Sequence, residues 1–193
     1  MEAPIGDRLP APYGEQHGNP VRQVYYNLGW HGLFCDRAIR LRLIPSPPAI
    51  ARARAIAAQH AGGMVTCTPL EVSRHNNDCD SAVYRDVLLR YCPHASMILF
   101  GCSVADRPEM EQFVGAMALP HSTEIITEAL PVWKAIVDLA AVNITGNTSG
   151  MWLAIGSHTQ TFLLQHSDPA HRHNHMWDYK PEWGCENIKV INV

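Results

Sequence analysis

Short apolar runs alternate with helical stripes of apolar residues through the middle of the chain. The runs Met64–Thr68 and Met97–Phe100 have the length and composition of buried strands. Between them, apolar residues at helical spacing predict a helix that is capped by Asp78 or Asp80 and ends at Tyr91. The same reasoning predicts helices over 49–61, 107–118 and 131–140, and short strands over 21–30, 124–127 and 188–193.

The pattern changes after residue 142. Residues 143–150 are mainly Asn, Thr, Gly and Ser, which are typical of turns. Met151–Ile155 and Gln160–Leu164 then flank a Gly-Ser-His-Thr segment, and this arrangement predicts a β-hairpin.

The alternation of strands and helices predicts the fold class. We expect an α/β domain with a mostly parallel sheet flanked by helices, followed by the hairpin and an irregular tail. Chemistry in such sheets gathers at the carboxyl ends of the strands. Residues 1–20, rich in Pro, Gly and charge, are expected to form a surface arm or a disordered segment, and residues 21–193 a single domain.

Composition narrows the functional classes. The apolar content of 47% and the charged content of 17% are typical of a globular protein. A net charge of -3 provides no basic field for nucleic acid, and no run of roughly 18 apolar residues predicts a membrane span. Without an apolar leader, the expected location is the cytoplasm, or outside the cell without a cleaved signal peptide. Six cysteines with no C-x-x-C pair indicate a reducing compartment and mostly buried thiols.

Cys102 is the candidate nucleophile. It follows a predicted buried strand and precedes a predicted helix. A helix N-terminus lowers the pKa of a thiol and supplies N–H donors for an oxyanion. The alternative is a small buried hydrophobe at a strand end, since free cysteine is among the most buried residue types.

A thiol nucleophile needs a base, and two histidines compete for that role. His75 lies in the loop before the helix that leads into the Cys102 strand. The rival His31 directly follows another predicted strand and is followed by glycine, but it lies much farther upstream. Either one could instead be a surface loop histidine.

Four short segments between residues 96 and 155 form a recognisable series: Leu99-Phe100-Gly101-Cys102-Ser103-Val104-Ala105, Phe113-Val114, Thr145-Gly146-Asn147 and Gly150-Met151-Trp152. The series resembles the second half of the caspase-like (clan CD) cysteine peptidases, and in particular the bacterial caspase-like domain of large secreted repeat proteins. The resemblance implies a caspase-like three-layer sandwich. It also implies a histidine in a Ser-His-Gly motif, where this chain has Ser73-Arg74-His75-Asn76 without the glycine.

The resemblance implies a hydrolase, specifically a thiol protease that cleaves protein or peptide substrates through a Cys102–His75 dyad and an acyl-enzyme. No cofactor is required for that chemistry. Arg74, Glu124 and Glu128 are the candidate substrate-binding residues.

A histidine-rich segment offers a second kind of site. His171, His173 and His175 alternate, so on an extended segment they would share one side and could bind zinc, copper or nickel. A solvated loop or a pH-sensitive surface are the alternatives. The alternative to a peptidase is a non-catalytic α/β binding module, which could carry a transition metal at this segment. If metal binds there, the chain is instead a metal-dependent hydrolase or a metal-binding module, and Cys102 is structural.

Overall fold

The structure is a computed structural model that describes residues 43–60, 63–70, 79–146, 148–154, 156–165 and 186–193. In chain order the elements are α1 (Pro47–Ala57), β1 (Met64–Thr68), α2 (Ser81–Tyr91), β2 (Met97–Gly101), α3 (Arg107–Met117), β3 (Ser122–Ile126), α4 (Leu130–Leu139), β4 (Val142–Thr145), α5 (Ser149–Ala154), β5 (Gln160–Gln165) and β6 (Ile188–Asn192).

The six strands form one sheet in the order β3-β2-β1-β4-β5-β6. Every neighbouring pair is parallel, with registers such as Thr66 opposite Leu99 and Asn143. The predicted fold class, a mostly parallel sheet flanked by helices, is confirmed. The order shows that the chain winds outward from β1 to one edge, returns to the centre, and continues to the other edge.

The helices cover both faces of the sheet. Neighbouring residues of a strand point to opposite faces, so each strand supplies side chains to both sides. Val65 and Cys67 of β1 pack in one apolar cluster with residues of α2 and α3. Met64, one position earlier, packs in a second cluster with α1 and α4. Leu153 of α5 joins that second cluster, so α5 lies on the same face as α4.

The predicted apolar stripes of the helices are the ones that pack. Tyr84 and Leu88 of α2 are fully buried, as are Met110 and Met117 of α3 and Ile136 of α4. The predicted cap residue Asp80 behaves differently. It occupies the N-cap position of α2, but its side chain makes no capping hydrogen bond, and the same is true of Asp106 at the N-cap of α3.

The predicted turn over residues 143–150 is wrong in its first half, where the chain forms β4. Asn143 and Thr145 are completely buried inside the sheet. Asn143 is satisfied by the neighbouring strands, because Thr66 Oγ1 donates to Asn143 Oδ1 at 3.0 Å and Asn143 Nδ2 reaches Thr161 Oγ1 at 3.4 Å. Thr145 Oγ1 lies 3.2 Å from Thr68 O at the end of β1. Local composition is dominated by turn-forming residues and does not reveal these partners.

The predicted β-hairpin is also wrong. Ser149–Ala154 is a helix, and β5 runs parallel to β4 as its neighbour in the sheet. Gly156, with φ 69°, ends this segment, and Ser157 N donates to Ala154 O at 3.0 Å. The connection is therefore a short crossover and not a tight turn between antiparallel strands.

Some predictions lie outside the described residues. They include the surface arm over 1–20 and the strand over 21–30. Among the helices that the structure describes, none has the length and apolar character needed to cross a membrane.

Gly101, the last residue of β2, shows how closely α4 packs on the sheet. A Cβ built on it would overlap the indole ring of Trp133, which is 4% exposed. We expect Gly101→Ala to lower the free energy of unfolding by about 1–3 kcal/mol through overpacking, as measured by urea denaturation.

The matched control is Gly115→Ala in α3, where an added Cβ meets nothing within 4 Å. That change should leave stability unchanged or raise it by about 0.5–1 kcal/mol, because alanine favours the helix. Equal destabilisation by both substitutions would contradict the packing interpretation of Gly101.

Candidate functional site

The centre of the sheet contains a point where successive connections leave in opposite directions. After β1 the chain passes to α2 on one face, and after the neighbouring β4 it passes to α5 on the other face. Connections that diverge in this way leave a crevice between the carboxyl ends of the two strands, which is where ligands bind in open α/β sheets. The crevice between β1 and β4 is therefore the candidate functional site.

Three threonines join the two strand ends. Thr145 Oγ1 lies 2.9 Å from Thr148 Oγ1 and 3.2 Å from the backbone oxygen of Thr68. Thr148 Oγ1 also lies 3.3 Å from Thr68 O and accepts a hydrogen bond from Gly150 N at 3.1 Å. All three residues are buried. These hydrogen bonds fix the turn between β4 and α5 against the end of β1.

Two glycines allow the elements around the crevice to approach closely. A Cβ on Gly146 would lie 2.8 Å from the hydroxyl of Tyr84, and one on Gly150 would lie 2.6 Å from Thr68 Oγ1. The indole N–H of Trp133 donates to Thr68 Oγ1 at 3.2 Å from the other side. The base of the crevice is thus built from hydroxyl groups and backbone atoms in tight contact.

The far end of α5 is also held. Thr159 Oγ1 donates to Val137 O at 2.7 Å, and Ser157 Oγ donates to Asp138 Oδ1 at 2.7 Å. The same carboxylate oxygen binds the buried Lys134 Nζ at 2.6 Å. Hydrogen bonds therefore hold both ends of α5, one end to β1 and the other to α4.

Among the described residues of this turn, Ser149, the first residue of α5, is exposed. Its hydroxyl can donate to or accept from a bound polar group. The hydroxyls of Thr145 and Thr148 and the N–H groups of Gly146 and Gly150 are already bonded within the turn and to Thr68. Ser149 is therefore the described polar side chain of the turn that a ligand can reach.

Cys102 lies where the sequence placed it, just after the carboxyl end of β2. Its N–H donates to Ile126 O at 3.2 Å, and its side chain is half-buried. Burial raises the pKa of the Cys102 thiol, the charge of Asp106 raises it further, and only Arg107 opposes this. The direction is opposite to that of an activated thiolate.

Glu124 and Glu128, the candidate substrate-binding carboxylates, each face a basic group from the α1 segment. Glu128 Oε1 accepts two hydrogen bonds from the Arg52 guanidinium, at 2.7 and 2.8 Å. Glu124 Oε2 lies 3.2 Å from His60 Nε2, although the pair is not aligned as a hydrogen bond. Both contacts join α1 and its following turn to β3 and the residues after it.

The remaining candidates lie outside the described residues and stay predictions. They are Arg74, His75, His31, His171, His173 and His175. Within the described part of the chain, no three His, Cys, Asp or Glu side chains are grouped so that they could hold a metal ion.

No protein-family model matches the chain, and no curated protein matches it. Solved structures do share its fold. The glycosyl transferase family 9 protein from Veillonella parvula matches with a TM-score of 0.70 and 11% sequence identity, covering 95% of this chain and 51% of that one. The E. coli ADP-heptose lps heptosyltransferase II matches with a TM-score of 0.56 and 10% identity, covering 79% and 44%. The chain spans about half the length of these structures, and the likeness shows the fold.

The prediction of a caspase-like cysteine peptidase is wrong, because the two solved structures described above, which share this fold, are glycosyltransferases and not peptidases. The predictions of a hydrolase and of a thiol protease are therefore wrong as well. The likeness does not support the alternative of a non-catalytic binding module either. The glycines that carried the resemblance have packing reasons instead. Gly101, Gly146 and Gly150 each lie against a side chain that leaves no room for a Cβ.

Sequence analysis missed the threonine cluster. The sequence pattern indicates turn residues at Thr145 and Thr148 and a strand end at Thr68, and it does not bring the three together. The available signal was the position of the Thr-Gly-Asn-Thr-Ser-Gly run directly after a strand of a parallel sheet, where a polar turn borders the ligand-binding edge.

The raised pKa of Cys102 predicts a thiol that is alkylated slowly. At neutral pH we expect iodoacetamide to label Cys102 more slowly than N-acetylcysteine, because the thiolate is the reactive form. Below the pKa, the rate should rise about tenfold per pH unit. Peptide mass spectrometry after timed labelling measures the rate at this cysteine alone.

Asp106→Asn should speed this labelling, because it removes a negative charge that raises the thiol pKa. Asp86→Asn, at an exposed position of α2, is the control and should have no effect. A labelling rate at Cys102 that is fast and independent of pH around neutrality would show a thiolate and contradict the prediction.

Proposed function

We propose that this chain binds a sugar nucleotide in the crevice between β1 and β4 and takes part in glycosyl transfer. The observation that carries the proposal is the divergence of the connections after these two strands, at the centre of an all-parallel sheet. The likeness to two glycosyltransferases, one of them named for ADP-heptose, supports the choice of ligand class.

The chemistry of the crevice fits such a ligand. Phosphate and ribose oxygens need hydrogen-bonding partners and close access to the backbone. Ser149 presents an exposed hydroxyl there, and Gly146 and Gly150 bring the backbone of the turn close to β1 and α2. The threonine hydrogen bonds hold this surface in one geometry, so little ordering is needed on binding.

In the proposed reaction, the bond between the anomeric carbon of the sugar and the diphosphate oxygen breaks. A bond forms from that carbon to an acceptor hydroxyl, whose proton passes to a base, and the nucleoside diphosphate leaves with the electron pair. The described residues support the donor side of this reaction. The proposal therefore assigns donor binding to the β1–β4 crevice.

A charge placed at the crevice tests the site. Ser149→Glu should weaken binding of ADP or UDP by at least about tenfold, because a carboxylate next to a diphosphate is repulsive. Ser149→Gln, which is similar in size but neutral, should change the affinity far less. Isothermal titration calorimetry with the free nucleotides and with a matching sugar nucleotide measures both effects.

Ser122→Glu provides the matched control. Ser122 is exposed at the amino end of β3, the opposite end of the strands from the crevice, so the same charge change there should leave nucleotide binding unaltered. Absence of binding by every nucleotide and sugar nucleotide at millimolar concentration would overturn the proposal, as would equal losses from the two glutamate substitutions.

A further inference from the structure

A second cavity differs from the crevice in its chemical character. It has a volume of about 220 Å³ and lies between the segment 43–45, α1 and the second half of α4. Its walls are mainly aliphatic, contributed by residues such as Ile50 and Ala135. An engineered apolar cavity of roughly 150 Å³ holds benzene, so this volume accommodates a somewhat larger apolar group.

Exposed apolar side chains are concentrated around this cavity. Five large hydrophobic residues of the described chain are exposed, and three of them line it: Leu43 at 38%, Ile44 at 79% and Leu139 at 45%. Solvent-exposed apolar groups gathered at one place indicate a binding surface more strongly than scattered ones do.

The charged groups of the cavity favour an anion. Arg54 lines it, and its guanidinium makes no hydrogen bond or ion pair with any described residue. Asp138 also lines it, but Oδ1 of its carboxylate already binds Lys134 Nζ at 2.6 Å and Ser157 Oγ at 2.7 Å. The Lys134 cation thus offsets the Asp138 anion, and the positive charge of Arg54 remains available.

We propose that this cavity binds a small free amphiphile, with its aliphatic chain among Leu43, Ile44 and Leu139 and its anionic head group at Arg54. A carboxylate or a phosphate monoester on a short alkyl chain has the required chemistry, because a guanidinium binds either group through paired N–H donors. The site is separate from the sugar-nucleotide crevice and does not depend on the function proposed for it.

Octanoate is the probe, and calorimetry with the whole chain at neutral pH is the measurement. Octanoate should bind in a saturable manner. In the series butanoate, hexanoate and octanoate, affinity should rise about fourfold per methylene group until the cavity is filled. Octanol, which lacks the charge, should bind about tenfold more weakly, and octylammonium more weakly still.

Arg54→Gln should reduce the affinity for octanoate to that for octanol and leave octanol binding unchanged. Arg85→Gln is the matched control, because Arg85 is exposed on α2 and has no partner among the described residues. Ala135→Leu should fill the cavity and abolish binding of both probes. If that variant does not fold, Leu139→Trp at the exposed edge tests the same point.

Several results would overturn the proposal. One is an absence of octanoate binding at millimolar concentration, and another is binding of octylammonium as tight as that of octanoate. Equal losses from Arg54→Gln and Arg85→Gln would show a non-specific charge effect. Binding to phosphatidylglycerol vesicles without binding to monomeric octanoate would assign the surface to a membrane and not to a free amphiphile.

Discussion

Hydrogen bonding among three threonines at the meeting point of β1 and β4 is the constraint on which the candidate site depends. Thr68, Thr145 and Thr148 are buried where two connections leave the sheet in opposite directions. The hydroxyls of Thr145 and Thr148 contact each other and the backbone oxygen of Thr68, so the turn before α5 is held against the end of β1. Without these contacts the diverging connections would still leave a crevice, but its wall would not have a fixed shape.

Most of the fold could be predicted from the sequence, because most elements bury a regular apolar pattern. The α2 stripe that includes Tyr84 and Leu88 is an example, since helical spacing alone identifies the face that packs. Prediction failed at β4, where Asn143 and Thr145 are polar and fully buried. The partners of Asn143 lie on β1 and β5, and one partner of Thr145 is the end of β1. These partners are distant in sequence, and local composition carries no trace of them.

The site could be predicted only in its general location, at the carboxyl ends of the parallel strands. The prediction that Cys102 is the centre of the site rests on a strand, a glycine and a following helix. Any parallel α/β sheet repeats that pattern several times. The structure gives each glycine of that pattern a packing role, such as Gly101 against Trp133. A short motif that satisfies the steric demands of a fold can therefore imitate the motif of an unrelated enzyme.

The fastening of α5 at both ends has a consequence for recognition. A helix of six residues is far too short to persist alone in water, and its geometry here is imposed by Thr148 at one end and by Ser157 and Thr159 at the other. The surface beside it is consequently rigid before any ligand arrives. Discrimination between ligands at such a surface rests on shape complementarity. Ligands that require the wall to rearrange bind weakly.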